Sequence, residues 1–67
     1  MQIQDAKNTL TQLNARHERA KTLLWEVSTL LNKEPVNKGK IAILLTNYRS
    51  EMDTLKKETN EILQFLA

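Results

Sequence analysis

Apolar residues in the first half of the chain recur at alternating spacings of three and four. This spacing is the a/d pattern of a heptad repeat, which places the residues in one stripe along an α-helix. One polar residue, His17, interrupts the stripe. We expect it to fix the register, and a pH switch is the alternative. The a and d positions of this helix are Ile3, Ala6, Leu10, Leu13, His17, Ala20, Leu24, Val27 and Leu31.

The repeat breaks at residues 32–40, which contain the only proline, the only glycine and three lysines. Asn32 can end the first helix in a left-handed conformation. The second helix begins either with Pro35 at its first position or with Asn37 as its N-cap. Its a and d positions are Ile41, Leu45, Tyr48, Met52, Leu55, Thr59, Ile62 and Leu66.

Two amphipathic helices joined by a short loop predict an all-α, coiled-coil-like antiparallel hairpin in one domain, residues 1–67. The first helix is expected at about residues 4–32, the turn at about 33–37 and the second helix at about 38–66. Placing Leu31 opposite Ile41 makes every a residue face a d residue, as antiparallel helices require. On the g side, this register puts Arg16 opposite Glu58 and Leu30 opposite Leu44.

The run from Ile41 to Leu45 is apolar throughout and covers more than half of the helix circumference. Because one neighbouring helix cannot bury such a wide surface, the hairpin is expected to complete a helical bundle. It would do so by dimerisation or with a helix of another protein. Trp25 either joins this interface or folds over Ala42, shielded by Lys21 and Arg49. The predicted partner interface is Leu23, Trp25, Leu30, Ile43 and Leu44.

Composition excludes several functions. The chain has no cysteine, one histidine, no Gly-rich phosphate loop and no nucleophile–base pair, so we predict no metal site, no cofactor and no catalytic residue. No apolar run is long enough to span a bilayer, and we expect a soluble, cytoplasmic protein. A net charge of +2 favours a protein partner over nucleic acid.

These observations predict a non-enzymatic protein-interaction module. In size and layout, the whole chain resembles the small helical-hairpin co-chaperones of type III secretion needle subunits. This resemblance implies a chaperone, adaptor or inhibitor that buries a helix of its partner. The alternative is a Rop-like hairpin dimer, similar in length and architecture, whose outer faces grip RNA. In that case, Lys21, Arg49 and Lys56 on the e side would contact the phosphates.

Overall fold

A computed structural model describes all 67 residues as two helices, α1 (Ile3–Leu31) and α2 (Lys38–Leu66), joined by residues 32–37. The molecule is elongated, measuring 50 × 15 × 13 Å. The all-α helical hairpin predicted from the heptad pattern is therefore confirmed. Helix α1 begins and ends one residue earlier than expected, whereas α2 has the predicted bounds.

Side-chain caps define where both helices begin. At the start of α1, the backbone N–H of Gln2 donates to a carboxylate oxygen of Asp5 at 3.0 Å. Asp5 thus lies in the first turn, where its negative charge interacts favourably with the positive end of the helix dipole. At the start of α2, the backbone N–H of Lys40 donates to Asn37 Oδ1 at 3.1 Å. Asn37 is therefore the N-cap, and the alternative start at Pro35 is wrong.

The end of α1 differs from the prediction. Asn32 has φ −88° and ψ −2°, which is right-handed, and no residue of the chain has a positive φ. Its side-chain amide instead donates to the Ser28 carbonyl at 3.0 Å. The Ser28 carbonyl also accepts the backbone N–H of Asn32 at 3.3 Å, and the Leu30 carbonyl accepts that of Lys33 at 3.3 Å. Because these bonds satisfy carbonyls of the last turn, a left-handed residue is not needed.

The helices face each other through their d and g positions, rather than through a and d as the sequence analysis predicted. Four buried residues occupy d positions and two occupy g positions. His17, predicted to lie inside the seam, is exposed. The six buried residues are Ala20, Val27, Ile41 and Leu55 at d, and Leu44 and Glu58 at g.

Three Leu-Leu pairs show this rotation most clearly, because each pair occupies a g position followed by an a position. Leu44 is 9% exposed and forms the core cluster with Val27 and Ile41, whereas the adjacent Leu45 is 42% exposed. The same contrast holds for the two pairs in α1. There the g leucines, Leu23 and Leu30, pack against the core cluster, and the a leucines, Leu24 and Leu31, are exposed.

The physical reason is the width of the apolar surface near the turn. The a, d and g positions together cover about 120° of a helix, but two helices in contact along one line bury only about two of these three rows. The d row is shared by both arrangements. The g row takes the second place, and the a row, apart from the half-buried Met52, remains exposed.

Candidate interaction surface

The a positions that carry large apolar side chains, except the half-buried Met52, form an exposed surface along one side of the hairpin. We call it the a-row surface. The side chain of each member is at least 42% exposed. Its members are Ile3, Leu10, Leu24, Leu31, Leu45 and Leu66.

A groove at the open end of the hairpin shows that the a rows of both helices share this side. The groove has a volume of about 250 Å³, and Lys7 supplies its only polar side chain. Residues of α1 and α2 line it together: Ile3, Ala6, Lys7, Leu10, Ile62, Phe65 and Leu66. At this end, Ile3 and Leu10 of α1 therefore lie on the same side of the molecule as Leu66 of α2.

The opposite side of the hairpin is polar. A shallow groove of about 440 Å³ lies there, and only one of its lining residues, Leu23, is apolar. The other lining residues are Arg19, Thr22, Asn47, Ser50 and Glu51. The two long sides of the hairpin therefore differ sharply in chemistry.

Ion pairs close the polar side midway along the hairpin. Arg16 Nε donates to Glu58 Oε1 at 2.8 Å, as the predicted register requires, and Arg16 Nη1 lies 3.4 Å from Glu51 Oε2. Arg19 Nη2 lies 4.0 Å from the same Glu51 oxygen. The hydrogen bond to Glu58 raises the pKa of the Arg16 guanidinium above its ordinary value. Because Glu58 is buried and Arg16 is its partner, this pair ties the two helices in one register.

The structure divides the five residues predicted as the partner interface. Leu44 is buried in the hairpin core, so the prediction that it lies on an exposed surface is wrong. Leu23 and Leu30 are half-buried against the same core. Ile43 and Trp25 are 63% and 71% exposed. Trp25 is therefore not folded under a shield of Lys21 and Arg49, and its contact with a partner stays a prediction.

The basic residues predicted for phosphate contact are all exposed. Lys21 Nζ lies 3.6 Å from Glu18 Oε1 on the same helix, and Arg49 and Lys56 form no ion pair. All three occupy e positions, which border the a row on its outer edge. The structure therefore places these three bases beside the a-row surface.

The sequence analysis missed the a-row surface because it assigned those residues to the interior. The available signal was the width of the apolar stripe, since both a and g are apolar near the turn. Periodicity alone cannot decide between these rows, because a/d and d/g follow the same alternation of three and four.

Metal sites, membrane spans and similarity to known proteins also bear on function. No group of three or more His, Asp or Glu side chains is arranged to hold a metal ion. Neither helix is long and apolar enough to cross a membrane. Comparison of the chain with protein-family models, curated proteins and solved structures finds no match.

Proposed function

We propose that this chain is a non-enzymatic protein-interaction module. Its hairpin covers an amphipathic helix, supplied by a partner protein or by a second copy, and acts as a small chaperone, adaptor or inhibitor. The observation that carries this proposal is the a-row surface, whose exposed apolar side chains recur from the open end of the hairpin to the turn, interrupted by the polar His17 and Thr59.

The distribution of the a-row residues supports binding of a helix rather than of a small molecule. They recur along both helices, from Ile3 at the open end to Leu31 and Leu45 at the turn. An incoming helix can present apolar residues at the same heptad spacing and run along the groove between α1 and α2. A pocket for a small molecule would instead concentrate its contacts in one enclosed cavity.

Burial within the chain also supports a partner. Only five hydrophobic residues are buried, and eleven large hydrophobic residues are exposed. Small domains with so little core commonly gain stability from oligomerisation or from a partner. The isolated chain is therefore expected to associate or to be a weakly folded monomer, which sedimentation and circular dichroism distinguish.

The test uses the whole chain and a peptide of about 28 residues with Leu at a and d and uncharged residues elsewhere, so that it forms one amphipathic helix. Fluorescence anisotropy of the labelled peptide measures binding, and sedimentation velocity measures self-association. Leu31→Gln with Leu45→Gln is expected to abolish both kinds of association while the helix content is kept.

Two other exposed apolar residues provide a matched control. Ile43 and Val36 are 63% and 40% exposed, against 57% and 42% for Leu31 and Leu45, but they lie outside the a row. Ile43→Gln with Val36→Gln should leave association unchanged. If this pair abolished association and the a-row pair did not, the interaction surface would be the one that contains Ile43.

A second candidate function is an RNA-binding hairpin dimer, favoured by the exposed row of Lys21, Arg49 and Lys56. Replacing these three residues with Gln would then remove RNA affinity and leave association of the protein intact. Because phosphate binding releases counterions, RNA affinity must also fall steeply with salt. Titration of a structured RNA at two salt concentrations distinguishes this function from helix binding.

A further inference from the structure

We infer that the a-row surface is built for a helix with acidic flanks, contributed by another protein rather than by a second copy of this chain. The inference rests on the proposed function and names the chemistry of the partner. It is drawn from the charges that border the apolar surface.

The e positions of both helices border the a-row surface, and they carry positive charge only. Four of these eight residues are basic and none is acidic. The eight are Lys7, Asn14, Lys21, Ser28, Ala42, Arg49, Lys56 and Leu63. The only acids on this side, Glu18 and Asp53, lie one position further out at b, and Glu18 is paired with Lys21.

The other acids of the hairpin lie away from this surface. Glu51 and Glu58 at g face the polar side, where Arg16 and Arg19 neutralise them. The molecule therefore separates its charges: Arg16 and Arg19 pair with acids on the polar side, whereas Lys7, Arg49 and Lys56 lie beside the exposed leucines without an ion pair. Net charge alone, which is only +2, hides this separation.

The geometry defines where the partner's charges must lie. A third helix over the groove between α1 and α2 contacts the a and d rows of both helices, so its own flanks come opposite the two e rows. Lys7 and Lys21 are then on one flank, and Arg49 and Lys56 are on the other. Glu or Asp at the partner's e and g positions would pair with them, whereas Lys or Arg would be repelled. Each hairpin helix has 29 residues and is about 43 Å long, so it can contact about four heptads of a partner helix.

A second copy fits this surface poorly. A symmetric dimer would place the same surface on both partners, so basic e rows would face basic e rows without an acid between them. RNA would match the charge but would leave the leucines between the two basic rows uncovered. An acidic amphipathic helix satisfies the apolar row and both basic rows together.

The test compares two peptides with the same Leu heptads as the neutral peptide, one with Glu at every e and g position and one with Lys there. Like charges prevent either peptide from pairing with itself. At low salt, the 67-residue chain should bind the Glu peptide about tenfold or more tightly than the Lys peptide, given several exposed ion pairs. At about 1 M NaCl, where screening is strong, the two affinities should converge.

Charge reversal provides the decisive variant. Lys21→Glu with Arg49→Glu and Lys56→Glu should invert the preference, so that the Lys peptide binds more tightly. The matched control reverses Lys33, Lys40 and Lys57, which are exposed but lie outside the e rows, and changes net charge equally. This control should keep the preference for the Glu peptide, and circular dichroism verifies that both variants retain their helices.

Each outcome separates the inference from the proposed function. Equal binding of both charged peptides would overturn the acidic-partner inference and leave helix binding intact. A chain that dimerises through Leu31 and Leu45 and takes no peptide would overturn the inference in favour of a second copy. If no peptide bound, the chain stayed monomeric, and RNA bound with steep salt dependence, both the inference and the interaction proposal would fail.

Discussion

Leu44 and Leu45 are adjacent in sequence and identical in chemistry, yet the structure assigns them opposite roles. Leu44 is 9% exposed in the core, and Leu45 is 42% exposed in the a row. Leu44→Ala should therefore destabilise the hairpin much more than Leu45→Ala. An a/d seam, as the heptad pattern alone would have it, predicts the reverse order.

The magnitudes follow from burial. Each substitution removes three carbon atoms, worth about 0.8 kcal/mol apiece when fully buried. Weighting by the buried fraction yields about 2 kcal/mol for Leu44 and about 1.4 kcal/mol for Leu45. A residual cavity raises the cost at Leu44 to about 3 kcal/mol, because the core side chains collapse only partly. Both positions lie in the same turn of α2, so the change in helix propensity cancels.

The assay is urea unfolding followed by circular dichroism at several protein concentrations. If the hairpin is only marginally stable, trimethylamine N-oxide stabilises the folded state and so lengthens the folded baseline of the unfolding curve. Extrapolation to low concentration isolates the contribution within one hairpin, because association through the a row would add a concentration-dependent cost at Leu45 only. The reasoning is refuted if, at low concentration, Leu45→Ala costs as much as Leu44→Ala. The α1 pair Leu30 and Leu31 provides an independent repeat of the comparison.

Two further predictions concern the ion pair and the cap. Arg16→Ala should lower the melting temperature more than the double change Arg16→Leu with Glu58→Leu. The single change leaves the buried Glu58 carboxylate without its 2.8 Å partner, whereas the double change removes both charges. Equal melting temperatures in a thermal scan would show that Glu58 is solvated. Asn37→Ala should lower the free energy of unfolding in urea by about 1 kcal/mol, because the Lys40 N–H loses its hydrogen bond to the cap. The control Asn60→Ala, at an exposed position within α2, should leave stability unchanged or raise it slightly. If Asn37→Ala left stability unchanged, α2 would begin elsewhere.

Several features of the fold were predictable because they depend on local sequence. Heptad spacing determined both helices, and the cluster of Pro35 with Gly39 and three lysines located the turn. The pairing of Arg16 with Glu58 also followed, since any antiparallel hairpin with this loop length brings those residues close. Thr59 bonds to the Leu55 carbonyl at 2.7 Å, as its position within a helix predicts.

The candidate site was less predictable. The e-side bases are exposed, as expected, whereas Leu44, which the prediction placed on an exposed surface, is buried. The partner interface itself stays a prediction. Leu24, Leu31 and Leu45 were assigned to the core because apolar residues in a seam are usually inside. Their exposure depends on the rotation of each helix about its own axis, which the residue pattern leaves open.

The sequence by itself determined that the chain forms two long helices, where they begin and end to within one residue, and how far they overlap. These properties follow from local bonding, capping and loop length. Only the tertiary structure decided which two of the three apolar rows meet. That choice is a property of the pair: α1 and α2 share one line of contact, and the g row brings Leu44 to the core and Arg16 to Glu58. The a row is left in solvent beside the basic e rows, and the surface available to a partner is created by that rotation.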